Sequence, residues 1–583
     1  MKPKNKIVSF FNALFVNSVN FKFIEKMEGV VKKMNPAERI MFTIGSIIVV
    51  VSGIMLLVKV NSYFLVEVPS LGGSITEGLV GSPRFINPIL AISDTDKNIS
   101  SLVYSGLLKV NEEGKYTEDL AESYGVSSDG RTYEFKIREN AYFHDGKRVT
   151  SDDVIFTINK IVDPVIKSSK QPGWAGVSVE KIDDKTIRFF LSKPYTPFLE
   201  SLTLGILPKH IWEKVSSEQF PFSEFNITPV GSGPYKVTEA QRDGGGVLTL
   251  MNFESFSRYE PERPLIKSLT LKFFQNESEL YKAYKNGDIE SAIGISPTTA
   301  NEIGKQNFTQ DISTPRIFAL FLNQNIAPVF LNKEVREALS LSAPRGQIVE
   351  NVLFGFGKPI NGPTPEDSET DESLINGDIE AAKALLTSGG WKLNEEGVLQ
   401  KETKDKKEVL SFSITTSDST DLKAAAEILK SRWEELGARV EVKVFESSDL
   451  TQNIIKSRKY DSLLFGEIIN ENTDLHPFWH SSERNDPGLN ISLYANITVD
   501  KLLEEMRTMT DMQKISESRQ TISNEIKKDL PAIFLFTPSL TYLKPAQVKN
   551  ISFKNISAPS ERFAMISKWY IETDKVWEIF ANK

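Results

Sequence analysis

The 583-residue chain contains no cysteine. That excludes a disulfide, a thiolate metal site, a thiol nucleophile and a lipid carried on a cysteine. Histidine is nearly as scarce, with His144, His210, His476 and His480 making up the whole set. No G-x-S-x-G elbow and no H-E-x-x-H metal motif occurs, and the glycine-rich 231–235 loop lacks the G-K-[ST] ending of a phosphate loop. No enzymatic activity and no cofactor is therefore expected. The net charge of −8 argues against a nucleic-acid partner. Internal repeats and low-complexity tracts are absent as well.

What remains is ordinary globular composition, 40% hydrophobic and 25% charged. Its 36 Phe, 15 Tyr and 7 Trp suffice for large cores and for lining a cleft. The length predicts three or four domains, or one large multi-lobed one.

Residues 40–58 form an uncharged apolar run bounded by Arg39 and Lys59. About 20 such residues span a hydrocarbon layer. Residues 1–39 carry +5, which leaves −13 for the remainder of the chain. Positive flanks stay in the cytoplasm. The run exceeds a 7–15-residue signal core and no A-x-A site follows it. The reading is an uncleaved, single-pass signal anchor in the cytoplasmic membrane, with the N-terminus inside and the bulk of the chain outside, periplasmic or at the cell surface. Residues 7–33 are partly amphipathic, fitting a helix on the inner membrane surface or a solvated one equally well.

Residues 63–69 read as a spacer. Beyond it, strands and helices alternate. Residues 132–137 (TYEFKI) and 186–191 (TIRFFL) have strand periodicity, and Thr150 heads a capped helix over 151–161. Gly244, Gly245 and Gly246 mark a hairpin loop. Residues 335–352 read as one helix, as do 421–436, 499–509 and 514–528. The class is α/β with several lobes.

Residues 120–154 (LAESYGVSSDGRTYEFKIRENAYFHDGKRVTSDDV) carry the clearest resemblance to a known family. Further blocks follow in order: Tyr195-Thr196-Pro197-Phe198, Leu207-Pro208-Lys209-His210, Val230-Gly231-Ser232-Gly233-Pro234-Tyr235, Val335-Arg336-Glu337-Ala338-Leu339, residues 381–386 with Gly390-Trp391, Trp479-His480-Ser481-Ser482, and Asp529-Leu530-Pro531. Over residues 70–580 the chain resembles the family 5 extracellular solute-binding proteins, the oligopeptide and dipeptide receptors of ABC importers. The resemblance implies a two-lobed periplasmic-binding-protein type II fold with an extra inserted domain. Domain I would comprise 66–108, 230–315 and 540–583, domain II the insertion 109–229, and domain III 316–539. The hinge crossings would lie near 312–322 and 531–542.

The resemblance also implies a peptide ligand held by lobe closure and passed to ABC permease subunits. In peptide-binding relatives an acid in the region of 466–482 pairs with the peptide amine; here it would be Glu471, Asp474 or Glu467. The pattern departs from the family's in 470–475, so the three stay open. Phe318, Leu320 and Asn323 would supply a strand edge for the peptide backbone, and Tyr104, Trp174 and Trp479 are cleft aromatics or core. Most motif residues read as structural: the Phe143-His144-Asp145-Gly146 turn and the Gly231–Tyr235 loop need particular backbone geometry. His476 and His480 are four apart, as helical metal ligands are, with Pro477 between them, and a structural role is the plainer reading. The alternatives are a receptor for an oligosaccharide or metal chelate, and a peptide-sensing signalling receptor.

Overall fold

The computed structural model describes residues 29–111, 114–195, 197–260, 262–309, 312, 314–402, 407–469, 473–509, 511–552, 556 and 558–581. The chain divides into two compact units, Met1–Pro69 with Thr573–Lys583, and Ser70–Glu572.

In the first unit Asn35 starts a 29-residue helix, Pro36–Phe64. The Asn35 side chain accepts from Glu38 N–H at 2.9 Å, the Glu38 carboxylate accepts from Asn35 N–H at 3.0 Å, and Pro36 occupies the position where a missing N–H does no harm. At 1.5 Å per residue the helix is about 44 Å long, more than a ~30 Å hydrocarbon layer. None of its residues is buried, so its apolar surface is long enough and exposed enough to cross a membrane. The expected spacer is a correction: Tyr63 and Phe64 continue the helix, and Leu65–Pro69 is a strand paired antiparallel with Thr573–Trp577. Trp577 donates to the Asn61 side chain at 2.8 Å and lies against Phe64, which fastens this ribbon to the helix end.

The second unit is built on three larger sheets. A seven-stranded sheet runs in the order Phe308–Thr309, Tyr542–Leu543, Ser291–Ile293, Gly72–Val80, Ile266–Phe274, Leu248–Ser255, Tyr235–Arg242. Three stretches of chain far apart in sequence therefore share it. A four-stranded antiparallel sheet is local: Ala121–Val126, Thr132–Ile137, Thr186–Leu191, Val177–Lys181. Its inward residues Phe135, Ile137, Ile187 and Phe189 join the same core as the seven-stranded sheet. A six-stranded sheet is ordered Gly357–Pro359, Ala532–Pro538, Arg316–Leu322, Ser462–Ile468, Ser411–Ser417, Arg439–Phe445. Helices cover both of its faces, which explains the unbroken apolar run in Arg316–Leu322. Ile317, Ala319 and Phe321 face one core; Leu320 and Leu322 face the other.

The connections between the seven- and six-stranded sheets run side by side. Thr314 N–H donates to Pro538 O at 3.0 Å, and Leu540 N–H donates to Ile312 O at 2.7 Å. Thr537 Oγ also donates to Thr314 O at 3.2 Å.

Most elements fall where periodicity places them, including the 132–137 and 186–191 strands and the glycine hairpin. The single helix expected over 335–352 is a correction. It is two helices, Lys333–Ser342 and Arg345–Val352, because Pro344 lacks an N–H and pushes Ala343 to an extended conformation. The Arg345 side chain is buried at this break. It donates to Ser340 O at 2.8 Å, Leu374 O at 3.1 Å and Phe534 O at 2.8 Å. Burial pushes its guanidinium down to about 10.

The two motif loops clamp one another. His144 N–H donates to Gly231 O at 2.8 Å, Gly231 N–H donates to His144 Nδ1 at 3.4 Å, and His144 Nε2 lies 3.0 Å from Gly233 O. The ring is thus a neutral tautomer with its proton on Nε2, and burial holds it down at about 4. A Cβ on Gly231 would stand 2.0 Å from Val103 O, and one on Gly233 would stand 2.6 Å from Leu102 O. Gly231→Ala is expected to destabilise the protein by about 1–3 kcal/mol, because backbone must move. Urea unfolding checks it; a midpoint equal to wild type would contradict the close approach.

Candidate functional site

A cavity of about 810 Å³ opens in the second unit. Its walls come from distant parts of the chain. The helix Asp94–Val103 and the segment after it give Lys97, Tyr104 and Ser105; the region of the four-stranded sheet gives Lys170, Trp174 and Tyr195. The side of the six-stranded sheet contributes Thr314, Pro315, Ile468 and Asp474. Thr314 and Pro315 lie on one of the two connections between the sheets.

Capping explains the first wall. Ser93 Oγ accepts from Asp96 N–H at 3.1 Å, and Asp96 in turn accepts from Arg84 N–H at 2.7 Å and Phe85 N–H at 2.9 Å. The helix start and the preceding loop are thereby fixed together, and Tyr104 follows the helix end. Tyr104 is buried, and its hydroxyl has no hydrogen-bond partner among the described residues. Burial raises its pKa far above the usual phenol range. Nearby on the lining, Tyr259 OH donates to Asp119 Oδ1 at 3.0 Å. Burial pushes the Asp119 carboxyl up, against the opposing pull of Lys109. The Lys109 ammonium lies 5.8 Å from the Tyr259 ring centre.

Trp174 is also mostly core. It packs edge-on to Phe198 at 5.6 Å and presents only a margin to the cavity.

On the other side, Asp474 is engaged within the protein. It accepts from His476 N–H at 3.0 Å and pairs with Arg507 at 3.0 Å, with its side chain 11% exposed. The Arg507 guanidinium stands 5.9 Å from the ring centre of Tyr195, so this pair touches a residue contributed by the opposite wall. Ile468 is 56% exposed on the cavity surface.

The remaining expected ligand contacts that fall among the described residues are placed elsewhere. Glu471 lies outside the described residues. Glu467 precedes cavity-facing Ile468 on a strand, so it points to the opposite face. It is buried there with Oε2 unpartnered, and desolvation raises its pKa well above the carboxylate range. Trp479 is fully buried against Phe321 and Phe534. Phe318 stacks on Phe536 at 4.8 Å, and Leu320 is core. Asn323 holds a turn, donating to Arg458 O at 2.9 Å and accepting from Asn325 N–H at 3.1 Å. The strand carrying Phe318 and Leu320 is hydrogen-bonded to a neighbour on both sides, so it has no free edge for a peptide.

His476 and His480 do share a short turn, His476–Trp479 and its cap, with rings stacked at 4.1 Å. Nδ1 of His480 accepts from Ser482 N–H at 3.1 Å, which leaves the proton on Nε2. Among the described residues no group of three or more His, Asp or Glu side chains is arranged to hold a metal ion.

Sequence reading missed Lys97, Lys170, Asp119, Tyr195 and Tyr259 as lining residues. Tyr195 stood in a quoted motif, but nothing in local spacing brings these five segments to one surface.

Two lobes of α/β structure joined by paired connections, with a third sheet inserted and a cavity walled by all of them, define a binding protein of the type II class. The chain belongs to the bacterial extracellular solute-binding proteins, family 5, whose middle-region model matches residues 115–487. It is similar to the oligopeptide-binding protein AppA of Bacillus subtilis, at 27% identity over 519 residues, 86% of this chain and 92% of that protein. The structure of that AppA in complex with a nonapeptide matches with a TM-score of 0.63, covering 87% of this chain and all of that one. NikZ from Campylobacter jejuni, solved with Ni(L-His), matches at 25% identity and a TM-score of 0.64, covering 85% of this chain and 99% of that one.

Proposed function

We propose that the protein captures peptides in the 810 Å³ cavity by closure of its two lobes and delivers them to an ABC permease, with no bond made or broken. The single observation that carries this reading is the cavity itself. Both lobes and one inter-sheet connection contribute to its wall, so a ligand seated there changes the free energy of closing. Its volume is in the upper part of the ~300–1,000 Å³ range of ligand sites. Its lining mixes aromatic, hydroxyl and charged groups, which suits a ligand that is both polar and extended. The nonapeptide bound by the similar AppA supports the same substrate class.

In this reading domain I takes 66–108, 230–315 and 540–583, domain II takes 109–229, and domain III takes 316–539. The hydrogen-bonded connections at 312–315 and 538–540 form the hinge. The helix Pro36–Phe64 anchors the protein in the cytoplasmic membrane, N-terminus inside, and raises its local concentration beside the permease. Tyr104, Trp174 and Asp474 touch the ligand from the wall. Asp474 exchanges part of its Arg507 contact for the peptide amine, and Glu471 is the other candidate for that role.

A metal chelate is the second reading, favoured by the likeness to NikZ with its bound Ni(L-His). Thermal unfolding of the full chain in detergent separates the two. A ligand at 100 times its Kd adds about 2.7 kcal/mol of stability. Pooled peptides of two to ten residues are expected to raise the unfolding temperature, and Ni(L-His) is not. A shift with the chelate alone would reverse the assignment.

A further inference from the structure

The unit that holds Pro36–Phe64, Leu65–Pro69 and Thr573–Trp577 carries large apolar side chains in the open beyond its uncharged run. Tyr63 and Phe64 are exposed at the end of the long helix. Across the ribbon Trp577 is exposed, and Ile579 and Phe580, in the short helix Glu578–Ala581, are 72% and 58% exposed. Strand register brings the five together. Trp577 is opposite Leu65, the first residue after the long helix, so Glu578–Ala581 begins at the level where that helix ends. The Phe64 ring lies 5.5 Å from that of Tyr63 and 6.2 Å from that of Trp577, centre to centre.

The polar groups suit a half-wet setting. Asn61 Oδ1 already accepts from the Trp577 indole N–H at 2.8 Å, so the ring leaves water without stranding a donor. The ribbon's charges stand further along it: Glu67 is opposite Lys575 and Val68 is opposite Asp574, two and three pairs beyond Trp577. Lys59, one turn before Tyr63, and Glu578, between Trp577 and Ile579, supply charge at the rim. Along the axis Tyr63 and Phe64 stand about 8–9 Å past Val58, the last residue of the uncharged run. A headgroup layer is roughly 5–8 Å thick on each side of the hydrocarbon, and tryptophan and tyrosine concentrate there. An exposed apolar patch of this kind marks a contact surface, and this one continues the exposed apolar surface of the long helix.

Resting on the reading of Pro36–Phe64 as a membrane span, we infer that the segment Thr573–Ala581 makes a second membrane contact, with Trp577, Ile579 and Phe580 lying among the lipid headgroups at that end of the helix. Two segments far apart in sequence then hold the ribbon at the bilayer surface.

Tryptophan quenching of the full chain in phosphatidylcholine vesicles tests this. All seven tryptophans are among the described residues, and the six other than Trp577 are at most 5% exposed. Bromine on the acyl chains near the headgroup is expected to quench wild-type emission, bromine near the chain ends much less, and neither to quench Trp577→Phe. Joint Ile579→Ser and Phe580→Ser replacement is expected to cut the quenching about two-fold or more, because the segment loses apolar area to bury. Resistance to alkaline extraction from the vesicles reports the span separately. Wild type that resists extraction but is quenched by neither lipid, or no more than Trp577→Phe, overturns the second contact and leaves the span standing. Quenching unchanged by the two serines also overturns it, since the long helix alone would then carry Trp577 to the lipid. Release of wild type by alkali overturns the span and this inference with it.

Discussion

Arg562→Ala is expected to lose about 3–5 kcal/mol of stability, the cost of stranding a buried carboxylate. Arg562 and Glu77 are ion-paired with side-chain exposures of 0% and 1%. The guanidinium also donates to Asn98 Oδ1 at 2.5 Å and to Pro559 O, and stacks over Phe563 at 3.8 Å. Among the described residues Glu77 has one further donor, the Ser291 hydroxyl at 3.2 Å. Glu77 is on a central strand of the seven-stranded sheet, and Arg562 is on the 3₁₀ segment Pro559–Lys568, which packs on the helix Asp94–Val103. Removing the arginine leaves an ion under that sheet with a single neutral donor, and it unties the C-terminal segment from the helix beside Lys97. Urea unfolding measures the loss. The double replacement Glu77→Met with Arg562→Met is expected to recover much of it, since an apolar pair of similar volume has no ion to desolvate. A single Arg562→Ala within about 1 kcal/mol of wild type would contradict the burial.

Glu467→Gln is expected to stabilise the protein at neutral and alkaline pH. Burial raises the Glu467 pKa well above its ordinary 4.5, and Arg458 opposes this only in part. A raised carboxyl pKa means the folded state holds a proton that the unfolded state releases. The contribution is fully present below about pH 4.5 and is lost as pH rises toward the folded-state value. In that window stability falls by about 1.4 kcal/mol per pH unit for one proton. Glu467→Gln removes the titrating group, so the gap between variant and wild type opens from pH 5 upward and closes below pH 4.5. Unfolding free energies at pH 4.5, 6 and 8 check it. Parallel pH profiles would show that Glu467 is ionised and paired in the folded protein.

These residues also show how far the sequence could be read. Strand and helix positions were legible because one-sided burial imposes its period: Thr132–Ile137 and Thr186–Leu191 fall where alternation places them. The glycine loop and His144 were legible as backbone devices, since close approach admits only certain residues. The helix break at Pro344 was written in the sequence, yet the continuous apolar pattern around it hid the break. The cavity was far less legible. Glu467 and Ile468 are neighbours in sequence but face opposite sides of a sheet, and only strand register decides which of them meets a ligand. Phe318, Leu320 and Asn323 have the apolar and turn chemistry of either an edge or a centre, and the choice depends on which distant strands pair beside them. Lys97 and Lys170 line one cavity only because the inserted region packs on the lobe that carries the helix Asp94–Val103.

The absence of cysteine gives the most direct test of lobe closure. Glu218→Cys on the inserted region and Lys501→Cys on the six-stranded-sheet side place two unique labelling sites at exposed positions. With spin labels at both, pulsed dipolar spectroscopy of the full chain in detergent reads the distance between them. Saturating peptide is expected to shorten and narrow the distance distribution, and Ni(L-His) is expected to leave it unchanged. A distribution unaffected by a peptide that calorimetry shows to be bound would contradict capture by closure.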